Sequence, residues 1–302
     1  FYDDVFFPTL EKEGITTVIH MGDAFDSRKG IEFKSLKWSK RVVFNPLKER
    51  GIKMHLMVGN HDAYYKNTNE INAVDLLLKE YDNVEVYSSP TEVSVGGLPI
   101  LFIPWVNEQN EKETNQAIKK SKCRVAMGHL ELNGFQATPG HIMEHGHDAR
   151  AFNKFEKVFS GHYHARSDNG TVFYLGNPYE MFWNDVESPR GFTIFDTESL
   201  EHTPVNNPYR LFYKIFYDDT KNEYCTLDFD DYKDTVVKLV VENKTDYTMF
   251  DYIVNGLQDV VLDLKIIEDF STEVDDDVDM EELLEEFEES LEEMESEEIQ
   301  TN

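Results

Sequence analysis

Lys53-Met54-His55-Leu56-Met57-Val58-Gly59-Asn60-His61-Asp62 is the stretch on which the reading of this chain turns. Its first six residues are a short, mainly apolar run and predict a buried strand. The last four break that run with a glycine, then present an amide, an imidazole and a carboxylate in succession. Open α/β sheets bind ligands beyond the C-terminal ends of their strands, so this ending predicts an α/β protein with chemistry at the strand end. Alone, the triplet is weak evidence, and its weight depends on whether other strands end alike.

Three do. Thr16 to Met21 is β-branched and apolar and runs into Gly22-Asp23-Ala24-Phe25-Asp26. Arg124-Val125-Ala126-Met127 ends in Gly128-His129, and Lys157-Val158-Phe159-Ser160 ends in Gly161-His162-Tyr163-His164. A glycine beside each candidate ligand lets backbone crowd a small site without a Cβ in the way. Carboxylate, imidazole and amide oxygen together suit a borderline divalent ion such as Mn²⁺, Fe²⁺ or Zn²⁺. No cysteine belongs to the set, which argues against a structural zinc site. A carboxylate can bridge two ions ~3.5–4 Å apart, the arrangement that clamps both oxygens of a phosphoryl transfer.

Between these strand ends, helices are predicted over 3–13 (stopped by Gly14), 31–49, 70–81 and 110–121. In the second, Phe33, Leu36, Val43 and Leu47 are expected inward and Pro46 is expected to bend or end the helix. In the third, Ile71, Val74, Leu77 and Leu78 are expected inward. Short strands at 84–87, 92–95, 100–103, 172–175 and 192–195 make a layered α/β sandwich more consistent than a purely doubly wound sheet. Near Asn206-Asn207-Pro208 the character shifts. Strands at 236–241 and 260–264 around a helical 247–257 predict a small β-α-β domain. Further on, Met280, Leu284, Phe287, Leu291 and Met294 are spaced as the seam of a short coiled coil or docking helix, or belong to a disordered acidic tail.

The formal charge is −30 over 302 residues. No basic residue follows Lys265, and residues 266–302 carry 18 acidic ones, so residues 1–265 hold 29 basic against 41 acidic residues, or −12. Such a body does not attract nucleic acid or an acidic membrane by charge alone; metal or a basic partner would have to offset the field. Cys123 and Cys225 make no disulfide framework and read as reduced thiols of a cytoplasmic protein. No apolar run reaches the roughly 20 residues of a membrane span, and Phe1-Tyr2-Asp3-Asp4 lacks the basic start of a signal peptide.

In order and spacing, Gly22-Asp23 with Asp26, Gly59-Asn60-His61-Asp62, Gly128-His129 and Gly161-His162-Tyr163-His164 resemble the motifs of the calcineurin-like metallophosphoesterases. The phrases Gly22 to Lys29 and Gly128 to Gly134 are similar to SbcD-type DNA repair nucleases and their T-even phage counterparts. The likeness covers roughly residues 1–265 and implies a four-layer α/β/β/α sandwich over 1–205. It further implies a small DNA-facing α+β cap over 206–268 and an acidic helical tail over 269–302 that docks an ATPase partner. By position it implies Asp23 as a bridging carboxylate, with Asn60, His129 and His162 completing one metal site and His164 serving the other. His61 would be the catalytic histidine, since an imidazole near neutral pKa can protonate a leaving oxygen. Asp62 would orient the His61 ring through its other nitrogen.

The resemblance implies two divalent ions, Mn²⁺ first with Mg²⁺, Fe²⁺ or Zn²⁺ as alternatives. It implies DNA as substrate, an SbcC-type coiled-coil ATPase as partner, a homodimer without membrane attachment, and host cytoplasm if the chain is phage-encoded. Its departure is at the start: the family opens with a strand ending in Asp-x-His, and nothing before Asp23 matches. The second site is therefore left with Asp23 and His164, and the Asp-x-His strand is expected upstream of Phe1. A phosphomonoesterase or cyclic-nucleotide phosphodiesterase, or a catalytically degenerate scaffold, remain as other readings of the same motifs. His141, His145 and His147 read as a third metal site or a polar loop near the rim. His55 reads as a satisfied core histidine and His20 as a similar one close to the site.

Overall fold

The computed structural model describes residues 1–186 and 188–268. They divide into two compact units, one of residues 1–179 with 188–209 and one of 180–186 with 210–268. The seam from Met280 to Met294 and the proposed docking segment lie outside the described residues.

The first unit opens with a π turn, Tyr2–Phe6, leading into α1, Phe7–Glu13, which Gly14 ends in the left-handed conformation at φ 65°. Strand β1, Thr17–His20, follows. The 31–49 segment is helical as expected, but Pro46 does not end it. The chain runs through α2 (Phe33–Ser39), a second π turn (Lys40–Phe44) and α3 (Asn45–Glu49). In the wide turn the Asn45 N–H reaches back five residues to the Lys40 carbonyl, which makes room for a proline ring that has no N–H of its own. Pro8 stands just after the first π turn in the same way. Phe33, expected inward, is 84% exposed at the first residue of α2, a helix with no buried residue, whereas Leu47 in α3 is fully buried.

Strand β2, Lys53–Met57, pairs in parallel with β1. After it come a short hairpin of β3 (Ala63–Tyr65) and β4 (Thr68–Asn72), then α4 (Ala73–Leu77) and β5 (Val84–Tyr87). The helix expected from residue 70 thus begins three residues later. Asn72 is extended and caps it, its Oδ1 accepting from the Asp75 N–H at 2.8 Å, and Ile71 faces solvent from the hairpin instead of the core. Strands β6 (Thr91–Val95) and β7 (Leu98–Ile103), helix α5 (Glu111–Lys120) and β8 (Val125–Gly128) match their sequence periods closely. A small ribbon of β9 (Gln136–Thr138) and β10 (His141–Ile142) precedes β11 (Lys157–Ser160), β12 (Ser167–Asp168) and β13 (Val172–Tyr174). A hairpin of β14 (Gly191–Phe195) and β15 (His202–Asn206) completes the unit.

Two sheets result, ordered β1-β2-β5 and β12-β13-β11-β8-β7-β6. Met57, Ile100, Phe102, Val125, Met127 and Phe159 form the core between them. Phe7, Phe44, Leu47, Leu56 and Val74 join the first sheet to its helices, and Leu101, Ile118, Ala126, Phe152 and Val158 join the second sheet to its own. Strand faces therefore alternate between the sheet-sheet core and a helical layer, which is the α/β/β/α order. The central strands β1-β2 and β7-β8-β11-β13 run parallel within their sheets, so several C-terminal ends gather along one edge.

In the second unit β16 (Phe212–Asp218), β17 (Val236–Asn243) and β18 (Asp263–Ile267) form a parallel sheet, with α6 (Tyr247–Gln258) crossing from β17 to β18. Phe250, Ile253 and Leu257 of α6 pack on Tyr217, Val237 and Leu239. The buried Glu180 carboxylate accepts from the Leu211 and Phe212 N–H groups at 2.7 and 2.9 Å, tying 180–186 to the start of β16.

Candidate metal centre

The ends of β1, β2, β8 and β11 deliver Asp23, Asn60, His129 and His162 to one place. Asp23 Oδ2 lies 3.0 Å from His129 Nε2, and Asn60 Oδ1 lies 2.8 Å from the same nitrogen and 3.1 Å from His162 Nδ1. The ligand atoms of Asp23, His129 and His162 all fall within 4.8 Å of one another. Close approach of the strand ends is what this needs. A Cβ on Gly59 would stand 2.0 Å from Asp23 Oδ1, and one on Gly22, whose φ is +99°, 2.4 Å from His129 Nδ1. Asp23 and His162 themselves hold left-handed backbone, at φ 53° and 78°. Such geometry costs about 1 kcal/mol or more each and persists where surroundings impose it.

What imposes it on Asp23 is Asp62. This fully buried carboxylate accepts from Gly59 N and Asp23 N through Oδ2, at 2.9 and 2.8 Å, and from Ala24 N and Phe25 N through Oδ1, at 3.0 and 3.3 Å. Here the sequence expectation is corrected. Among the described residues the Asp62 carboxylate hydrogen-bonds backbone N–H groups and not the His61 ring, because the β1–β2 pairing brings the 22–25 turn over it. The His61 ring is held instead by the Asp26 carbonyl, 2.6 Å from Nδ1. That carbonyl can only accept, so Nδ1 carries the hydrogen and Nε2 is the atom left for a substrate. The His61 backbone N–H donates to Asp23 Oδ1 at 2.9 Å, turning the other carboxylate oxygen to the histidines.

The donor chemistry fits a cation. His129 Nδ1 lies 2.7 Å from the Met21 carbonyl and must donate to it. In a neutral ring Nε2 is then a lone pair, facing a carboxylate oxygen and an amide oxygen that are also acceptors. Three acceptors converging without a donor require a positive charge between them, either a proton or a metal ion. The protonation tendencies agree: burial, the largest single cause, would lower His129, but the charge and hydrogen bond of Asp23, the Met21 carbonyl and the Asp62 charge together raise it. Burial would raise Asp23, yet His129 and His61 hold it well below the usual carboxylate range. Burial lowers His162 to about 3 and His20 to about 4, leaving both imidazoles neutral. Burial and the neighbouring Asp23 charge push Asp62 up to about 7, against the pull of its N–H donors.

His164 does not join the close donor group. Its backbone carbonyl accepts from the buried Arg190 guanidinium, which also donates to the Asn177 amide oxygen. His20 stands beside the group, its Nδ1 accepting from Gly22 N at 3.3 Å. His55 is a core residue hydrogen-bonded to the Tyr87 hydroxyl at 2.7 Å. His141, His145 and His147 are exposed and bring no second group of three donors together among the described residues. Sequence reasoning missed Trp105, whose ring centroid lies 5.2 Å from His162 and 6.0 Å from His129. The Ile103-Pro104-Trp105 strand end was its only signal, with no ligand type to mark it.

The Calcineurin-like phosphoesterase profile matches residues 3–166. The chain is also 37% identical over 278 residues to the Exonuclease subunit 1 of Enterobacteria phage T4, an alignment spanning 90% of this chain and 78% of that protein.

Proposed function

The chain belongs to the calcineurin-like phosphoesterase family and is a phosphoester hydrolase with a divalent-metal site, and on that premise we propose that it is a nuclease subunit acting on DNA. The observation that carries this reading is the reach of the similarity. The family match covers residues 3–166, whereas the identity to a protein named as an exonuclease subunit extends over 278 residues. A small-molecule phosphatase sharing only the metal motifs would not be expected to keep that likeness along the rest of the chain.

Asp23, Asn60, His129 and His162 would hold one ion, Mn²⁺ by preference, and Asp23 with His164 would serve a second. Bound there, the metal supplies Lewis-acid activation of water and neutralisation of phosphate charge. The chain's own contribution is positional. Asp62 fixes the 22–25 turn so that Asp23 keeps one oxygen toward the histidines. His61, anchored through Nδ1, offers Nε2 to hydrogen-bond the scissile phosphate or to protonate the leaving oxygen. Residues 206–268 would face DNA, and 269–302 would dock an SbcC-type coiled-coil ATPase in double-strand-break repair, recombination and recombination-dependent replication. A homodimer belongs to the same proposal.

With Mn²⁺ the complete protein should degrade linear duplex DNA, and there His61→Ala should abolish turnover with metal still bound; residues 1–302 on their own, with two candidate ligands for the second ion, should hold one ion well and cut DNA weakly or not at all. Cleavage of a chromogenic phosphomonoester without any action on DNA would overturn the nuclease reading. Retained DNA cleavage in His61→Ala would overturn the role given to His61.

A further inference from the structure

The loop after β7 runs beside the site, and several of its hydrogen bonds converge on one carbonyl. The Trp105 oxygen accepts from two side-chain amides, Asn69 Nδ2 and Asn110 Nδ2, both at 2.8 Å. Asn107 Nδ2 donates to Asn69 Oδ1 at 2.9 Å, Asn107 N donates to Asn110 Oδ1 at 2.9 Å, and Asn72 Nδ2 donates to the Asn69 carbonyl at 2.9 Å. All four asparagines are buried. The Trp105 N–H meanwhile donates to the Val58 carbonyl at 2.8 Å, one residue before Gly59. A satisfied buried polar network rigidifies what it holds, and burying four amides is costly unless that rigidity serves something.

What it holds in place is an indole against a candidate ligand. The His162 ring has Trp105 at 5.2 Å, Tyr163 at 5.0 Å and His129 at 5.1 Å between centroids. Rotation about the last torsion of a histidine is soft, so its backbone does not decide which way Nδ1 points. Tyr163 is fixed independently, by a hydroxyl bond to the Leu132 carbonyl and stacking on Tyr174. Trp105 lies on a loop, tied through its N–H to the Val58 carbonyl and through its carbonyl to the asparagine network.

We propose that Trp105 is a positioning residue of the metal site: clamped through its carbonyl by Asn69 and Asn110, its indole keeps the His162 imidazole turned toward Asn60 and Asp23. This rests on the metal-site reading above but not on the identity of the substrate. Neighbours that orient a ligand typically carry about 10–100-fold in metal affinity.

The test is Mn²⁺ binding by the full chain, measured by calorimetry. Trp105→Ala should weaken binding about 10–100-fold, and Trp105→Phe, which restores a ring wall, should recover most of it. Asn110→Ala, which removes one clamp and leaves the indole, should weaken it in the same direction but less. In a Trp38→Phe/Trp183→Phe background, paramagnetic Mn²⁺ should quench the remaining indole on binding. Wild-type affinity in Trp105→Ala would overturn the assignment, as would an alanine and a phenylalanine variant equally impaired with unchanged circular dichroism. Trp105-dependent Mn²⁺ binding together with a complete protein that cuts no DNA would sink the nuclease reading and leave Trp105 in its role; no Mn²⁺ binding at all would overturn both.

Discussion

Asp62→Ala separates a structural carboxylate from a catalytic one. In the native site Asp62 accepts four backbone N–H bonds, from Gly59, Asp23, Ala24 and Phe25, in a place with no solvent access. A buried donor left unpaired costs about 1–3 kcal/mol, so four give about 4 kcal/mol at the low end. Relief of the charge repulsion with Asp23 returns about 1 kcal/mol, and a water entering the vacated space recovers part of the rest. The expected net loss is about 3 kcal/mol, a large share of the roughly 5–15 kcal/mol that holds a domain folded. Asp62→Asn keeps one oxygen but turns an NH₂ toward two N–H groups, and about 2–3 kcal/mol should be lost. Urea unfolding followed by tryptophan fluorescence, with Trp183 replaced by Phe so that only Trp38 and Trp105 report, reads the first unit alone. Mn²⁺ affinity should fall with stability, because the turn carrying Asp23 loosens. An Asp62→Ala chain within about 0.5 kcal/mol of wild type, defective only in turnover, would refute this reasoning and restore a role in orienting His61.

Gly59→Ala should destabilise the first unit by about 2–4 kcal/mol and abolish tight Mn²⁺ binding, since its Cβ would overlap Asp23 Oδ1 and N; calorimetry on the soluble variant checks it. In acid, the metal-free protein should weaken through His20 and His162. Their folded pKa values lie below the unfolded value of about 6.5, so their stabilisation is present above 6.5 and is lost as pH falls. Between about pH 6 and 5 each costs about 1 kcal/mol, and Asp62, raised to about 7, works oppositely and returns about 1 kcal/mol. The net loss of about 1 kcal/mol should roughly double in Asp62→Asn, and denaturation midpoints that stay flat in both proteins would contradict the assignment. Glu180→Ala should cost about 2 kcal/mol in the second unit alone, through the freed Leu211 and Phe212 N–H groups; Trp183 fluorescence is the probe.

Much of this was legible from local pattern. Strand ends at Asp23, Asn60, His129 and His162 can be read because a strand, a glycine and a ligand are neighbours in sequence, and each link is a local preference of the backbone. The helices at 33–49 and 111–120 follow from periodicity in the same way. The errors share another cause. Ile71 and Phe33 carry the right apolar spacing, yet Asn72 caps its helix late and Phe33 stands at the first residue of α2, so both side chains reach water. Periodicity reports a face of an element, not where the element starts against its neighbour.

The sequence by itself determined which strand ends carry candidate ligands and which metal chemistry those residue types suit. Only the tertiary structure decided how those residues divide the work. Asp62 stands one residue from His61 but serves a turn 37 to 39 residues away, because the parallel pairing of β1 with β2 lays that turn across it. Trp105 has no ligand chemistry and becomes part of the site because β7 ends beside β8 and buried amides hold its loop there. A hydrogen-bond acceptor or a ring wall is defined by what is brought to it, and that is settled by strand register rather than by the residue's neighbours in the chain.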